Sequence, residues 1–292
     1  FQANQMVVVI RDVFLEPYGL AFKDQFFTDL AVGLVIAVLV AAVILGGIKR
    51  IGNVASKLVP AMVILYTVSV VLILLLNFTE VIPSFLFIIE DAFSAKAALG
   101  GAFGMIIIEG AKRAAFSNEA GIGTAPMMHG AAKTKEPVRE GLVAMMGPVI
   151  DTLLVCTCTA LAILVTGSWQ IDGDIDGVTL TSLPFETAFP GIGAYLLTVV
   201  VALLSLSTIF TFWYYGSKCL GFLIGAKYQH HYIWWYLVLV VLGAVASLKL
   251  VVSLIDSMYA LMAIPTMTSA LLLAPKVNQA AKRYLKPSQA SR

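Results

Sequence analysis

Residues 110–126 read GAKRAAFSNEAGIGTAP, and whether this stretch is a loop or the middle of a membrane span decides the fold. It sits in an apolar, glycine-rich segment, residues 97–132, long enough to cross a bilayer yet carrying Glu109, Lys112, Arg113 and Glu119. Ser117 and Asn118 are favoured helix N-caps, and glutamate is favoured in a first turn. The segment therefore reads as two half-helices, 97–116 and 119–132, broken near Ser117 and Asn118. Backbone groups freed by such a break survive at membrane depth only where they line a cavity. There they can hold a zwitterion and its coupling cation. The plainer alternative is a polar cytoplasmic loop between two helices. Lys112 and Arg113 read first as structural charges; as functional groups they would lock Glu109, Glu119 or Asp151 in a gate.

Composition favours the membrane. Of 292 residues, 60% are hydrophobic and 12% charged, and mean hydropathy is +0.92. A soluble domain is about 45–50% apolar and about 25% charged. Charge-free or nearly charge-free runs at 30–48, 58–79, 141–171, 187–217, 228–248 and 250–275 each read as a transmembrane helix. With the broken segment, that makes seven full spans, plus part of one in the first residues. Residues 82–93 read as a short interfacial helix. Connections rich in Lys and Arg (Lys49, Arg50, Lys57; Lys133, Lys135, Arg139; Lys218, Lys227) alternate with acidic ones (Glu80, Glu90, Asp91; Asp172, Asp174, Asp176). Basic loops stay in the cytoplasm. The domain plan is thus a transmembrane body over residues 1–275 and a cytoplasmic tail over 276–292, in a plasma (inner) membrane.

A net charge of +2 points to no nucleic-acid partner, and Cys156, Cys158 and Cys219 offer neither a disulfide framework nor metal spacing. Cys156 and Cys158 are expected as buried packers. His129, His230 and His231 read as interface residues, and Tyr232, Trp234, Trp235 and Tyr236 as an aromatic belt. Asp151 needs a partner or a proton. Runs 30–48 and 228–248, each followed by a span with an internal proline (Pro60, Pro265), form a weak inverted repeat. Ser207 and Thr208 are a candidate cation pair, although such hydroxyls commonly bond back to their own helix.

Residues 110–167, GAKRAAFSNEAGIGTAPMMHGAAKTKEPVREGLVAMMGPVIDTLLVCTCTALAILVTG, are similar to the alanine or glycine:cation symporter family. The GGIKRI at 46–51 and LMAIP at 261–265 extend the likeness. The resemblance implies an all-α polytopic protein with the ten-helix inverted-repeat fold of amino-acid and sodium symporters. It implies import of a small neutral amino acid, alanine or glycine, with sodium or sometimes a proton, no cofactor, and no enzymatic activity. Carried over by position, Gln2 and Asn4 match the Gln-Ala-Asn element near the substrate, with Gln5 where serine is usual. Ser117, Asn118 and Glu119 match the broken helix, and Thr208 a threonine near substrate and cation. The family usually reads Thr-Ile-apolar-Gly-Trp-x-Tyr-Tyr-Gly-Glu from that threonine. Here Thr211, Phe212 and Ser217 replace the glycine, tryptophan and glutamate. The family's first two helices have no counterpart, so Phe1 is expected inside the third helix of a longer protein, of which this is a C-terminal portion. A channel and an intramembrane enzyme are the rival classes, and a proton-coupled transporter of another small amino acid or an inactive fragment are the further alternatives. A channel would show charge rings or filter loops; an enzyme would need a nucleophile–base pair.

Overall fold

The computed structural model describes residues 1–92, 107–108, 110–114, 118–170 and 177–285. Among these residues the secondary structure is entirely helical. We number the elements α1 (Gln2–Ile10), α2 (Gln25–Ile44), α3 (Gly47–Leu76), α4 (Phe78–Ala92), α5 (Glu119–Ile122) and α6 (Ala125–His129). Then follow α7 (Pro137–Val165), α8 (Gly177–Ala188), α9 (Gly193–Ile224), α10 (Tyr232–Val245) and α11 (Leu248–Leu285).

Five of these, α2, α3, α7, α9 and α11, are long and apolar enough to cross a membrane. They correspond to five of the seven expected spans. The sixth, 228–248, is α10, whose 14 residues reach only about 21 Å at 1.5 Å per residue. The seventh, the broken segment, lies partly outside the described residues. The expected interfacial helix starts earlier, at Phe78, and none of its described side chains is buried.

The chain forms two compact units. The first comprises residues 1–94 and 157–252. Its core gathers Met6 and Val7 of α1, Ile36 and Val40 of α2, Phe210 of α9 and Val240 of α10. Here α2 packs directly on α10, the two charge-free copies of the suspected repeat. Gly33, early in α2, faces Ala244, late in α10, so the pair runs antiparallel. A Cβ at Gly33 would lie 2.7 Å from that of Ala244, which is why glycine stands there. Two hydroxyls tie further helices: Tyr236 Oη donates to the Ile209 carbonyl at 2.6 Å, and Tyr66 bonds Thr159. On the opposite face of α2, Leu34, Val35, Val38 and Leu39 are exposed, as a lipid-facing stripe requires. Trp234 and Trp235 are 66% and 70% exposed at the start of α10, as a belt at the membrane surface should be.

The second unit comprises residues 95–156 and 253–292. Its part of α7 includes a π-helical stretch, Val149–Cys156, with Asp151 in its first turn. Cys156 is exposed, not buried, and Cys158 is half-buried. Both were expected as packers, but the widened turn carries Cys156 to the outside.

Replacing Gly33 with valine should overpack the α2–α10 contact and destabilise the protein by about 1–3 kcal/mol. A thermal melt of the purified protein in detergent checks this; an unchanged midpoint would mean that the close approach is not a constraint.

Candidate functional site

In the second unit the expected second half-helix starts where the sequence put it, while the first, 97–116, lies mostly outside the described residues. Asn118 is extended (φ −135°, ψ 144°), and its Oδ1 accepts from the Ala120 amide at 2.9 Å, capping α5. Glu119 occupies the first turn, where its charge complements the helix dipole. The half-helix is not continuous to 132, as its sequence led us to expect. Gly123 adopts φ +84° and ends α5, its amide returning to the Glu119 carbonyl at 3.0 Å. A side chain at Gly123 would run into Thr266 of α11, whose hydroxyl donates to the Ile122 carbonyl at 3.3 Å. Ser117, the other expected site residue of the break, lies outside the described residues.

Asp151 has the partner that an acid in an apolar span requires: the Asn118 side chain. The Asn118 carboxamide thus joins the break to the π-helical turn of α7. Arg113 approaches Asp256 of α11 at 3.8 Å, an acid that had read only as an interruption of an apolar run. His129 Nδ1 contacts Glu140 Oε1 at 2.7 Å.

In the first unit Gln2 Oε1 accepts from Ser205 of α9 at 3.3 Å. Asn4 donates to the Gly243 and Ala246 carbonyls at 3.2 and 2.7 Å, satisfying the open end of α10. Gln5 donates to Asn4 Oδ1 at 3.1 Å and accepts from the Val178 amide at 3.0 Å, capping α8. The serine usual at this position is too short to span that gap. On α9, Ser207 and Thr208 both donate to the Leu204 carbonyl, at 2.8 and 3.0 Å, and Thr211 donates to Ser207 O at 2.9 Å. The hydroxyls are bonded back to their own helix, the commoner of the two outcomes expected for them; their oxygens keep lone pairs. Phe212 is half-buried, edge-on to Tyr215 with centroids 5.6 Å apart.

Beyond Asn4, α1 continues as a π-helical turn, Arg11–Leu15. Arg11 Nη1 donates to both oxygens of Asp29 at 2.7 and 2.9 Å, and its Nε to Asp12 at 3.0 Å. Arg11 and Asp29 are 8% and 9% exposed. With Asn4 and Gln5 they line a cleft of about 470 Å³. The sequence had not singled out this pair, because charges at the ends of apolar runs read as boundary markers. Among the described residues no group of three or more His, Cys, Asp or Glu side chains could hold a metal ion.

The fold is that of a polytopic helical membrane protein in which Asn118 caps a helix start after an apolar segment. The family model described as "Sodium:alanine symporter family" matches residues 1–292, and the chain belongs to that family. It is a family of symporters, not enzymes. The chain is 39% identical over 267 residues to the sodium/alanine symporter AgcS of Methanococcus maripaludis, covering 90% of this chain and 59% of that one. It is 37% identical over 270 residues to an uncharacterized transporter of Haemophilus influenzae, with the same coverage. A probable sodium/glutamine symporter of Bacillus subtilis, GlnT, is 31% identical over 290 residues, 98% of this chain and 60% of the relative. The chain thus spans about six-tenths of the length of these relatives.

Arg11→Met should destabilise the protein by about 3–5 kcal/mol by leaving Asp29 buried without its cation. Arg11→Met with Asp29→Leu should recover most of that loss. Denaturation of both variants tests it; equal loss in the two would show that the cleft, rather than the pair, was damaged.

Proposed function

We propose that this chain belongs to a secondary active symporter that imports a small neutral amino acid, alanine or glycine, with sodium by alternating access. The observation that carries this reading is the Asn118-capped break, in a chain of a cation-coupled amino-acid symporter family. The start of α5, where the helix dipole favours negative charge, suits a substrate carboxylate, and Glu119 suits an ammonium or cation nearby. In this reading the substrate-binding residues are Gln2, Asn4, Thr208 and Phe212 in the first unit and Ser117, Asn118 and Glu119 in the second, and Ser207 and Thr208 offer hydroxyl oxygens to the cation. Asn4 and Asn118 act by holding helix ends in place, since their carboxamides are committed to those ends. The protein sits in the plasma (inner) membrane with residues 276–292 in the cytoplasm, which the alternation of basic and acidic connections supports.

Phe212 in place of tryptophan and Thr211 in place of glycine alter pocket volume. One methylene is worth only about 1–3 kcal/mol of discrimination. A larger neutral substrate such as glutamine is therefore the second reading, favoured by the relative named a probable sodium/glutamine symporter.

Uptake of labelled alanine, glycine and glutamine into proteoliposomes holding the complete open reading frame tests the proposal, with sodium or proton gradients imposed separately. Sodium-driven alanine accumulation, lost in Asn118→Ala at equal expression, is expected. Accumulation driven only by protons would reassign the coupling ion, and uptake unchanged in Asn118→Ala would remove the break from the site.

A further inference from the structure

The cleft beside Asn4 is built as a binding site. Asn4, Gln5, Arg11 and Asp29 are each more than nine-tenths buried, yet all of them line it. Its walls are locked. Asn4 is held by the α10 carbonyls, and Gln5 by Asn4 and the first turn of α8. Its volume, about 470 Å³, falls in the range of small-molecule pockets, about 300–1,000 Å³.

Its chemistry has two signs. Arg11 commits Nη1 to Asp29 and Nε to Asp12, while Nη2 has no protein partner among the described residues. Thr179 in the first turn of α8, and Ser247 just before α11, bring two helix N-termini to the same cleft. Such ends favour negative charge. Opposite this stand the Asp29 carboxylate and the Ala246 carbonyl at the end of α10. Asp12 and Glu16, 3.0 and 3.6 Å from Arg11 Nε, leave carboxylates in excess. A simple anion is therefore repelled, whereas a ligand that brings its own cation is accepted.

We propose that this cleft is a second subsite for the zwitterion of an α-amino acid. The substrate carboxylate meets Arg11 Nη2, and its ammonium meets Asp29 and the Ala246 carbonyl, while the Arg11–Asp29 pair stays intact. The inference rests on the amino-acid symporter reading. It places the subsite two residues along α1 from Gln2, at the end of the first unit that the acidic connections assign to the outside. Its role is to load substrate before transfer to the central site.

Binding stoichiometry decides it. The complete protein in nanodiscs, with sodium and saturating labelled alanine, should bind two equivalents. Arg11→Met with Asp29→Leu, and separately Ser247→Trp, which fills the cleft without touching the ion pair, should each bind one. Lactate, which lacks the ammonium, should displace neither equivalent. One equivalent in the unmodified protein, or two retained in both variants, overturns the subsite while leaving the symporter reading standing. No alanine bound at all overturns both.

Discussion

Inside a bilayer no water is at hand for a peptide group, so the ends of an interrupted helix need partners within the protein. That constraint organises this chain. Asn4 closes the end of α10, Gln5 opens α8, and Asn118 opens α5. All three are carboxamides, which supply donor and acceptor together and carry no charge to desolvate. One bond, from Gln5 to Asn4 Oδ1, links two of them, and the Asn118 side chain lies beside Asp151. The helix ends are therefore held by short polar relays, and the apolar helices pack around them.

The relays explain how irregular backbone is tolerated where the sequence is most apolar. In the second unit the Asn118 relay meets a π-helical turn of α7, a distortion often found at functional positions. Gly123 then turns the chain with a positive φ, against Thr266. In the first unit the Asn4 and Gln5 relay frames a charged cleft at the end of the α2–α10 pair. The helices α2 and α10 lie antiparallel there, brought close by Gly33 and Ala244.

Much of this was legible in the residues. Long charge-free runs mark α2, α3, α9 and α11, because a twenty-residue apolar stretch has few other uses. Ser-Asn-Glu before two glycines marks the break, because cap chemistry is local. Tertiary partners were not legible. Nothing local foretold that Arg113 approaches Asp256 of α11. Nothing local links Arg11 to Asp29, or tells that Gln5 reaches the amide of Val178. The second half-helix was drawn too long, because Gly123 in a helical pattern does not reveal a left-handed turn. The hydroxyls of α9 show the limit from another side: their spacing fits a cation pair and equally fits the back-bonds that they make.

The central claim is that the Asn118 break faces water and substrate at membrane depth. The direct measurement is labelling of a single cysteine at Ala120, with Cys156, Cys158 and Cys219 replaced, by a membrane-impermeant maleimide in vesicles of either orientation. Ala120 is exposed in the first turn of α5, and Leu153, exposed on α7, serves as the lipid-facing control. Ala120→Cys should be labelled quickly, and sodium with alanine should protect it, while Leu153→Cys stays unlabelled. No labelling at Ala120→Cys, or labelling indifferent to sodium and alanine, would contradict the account.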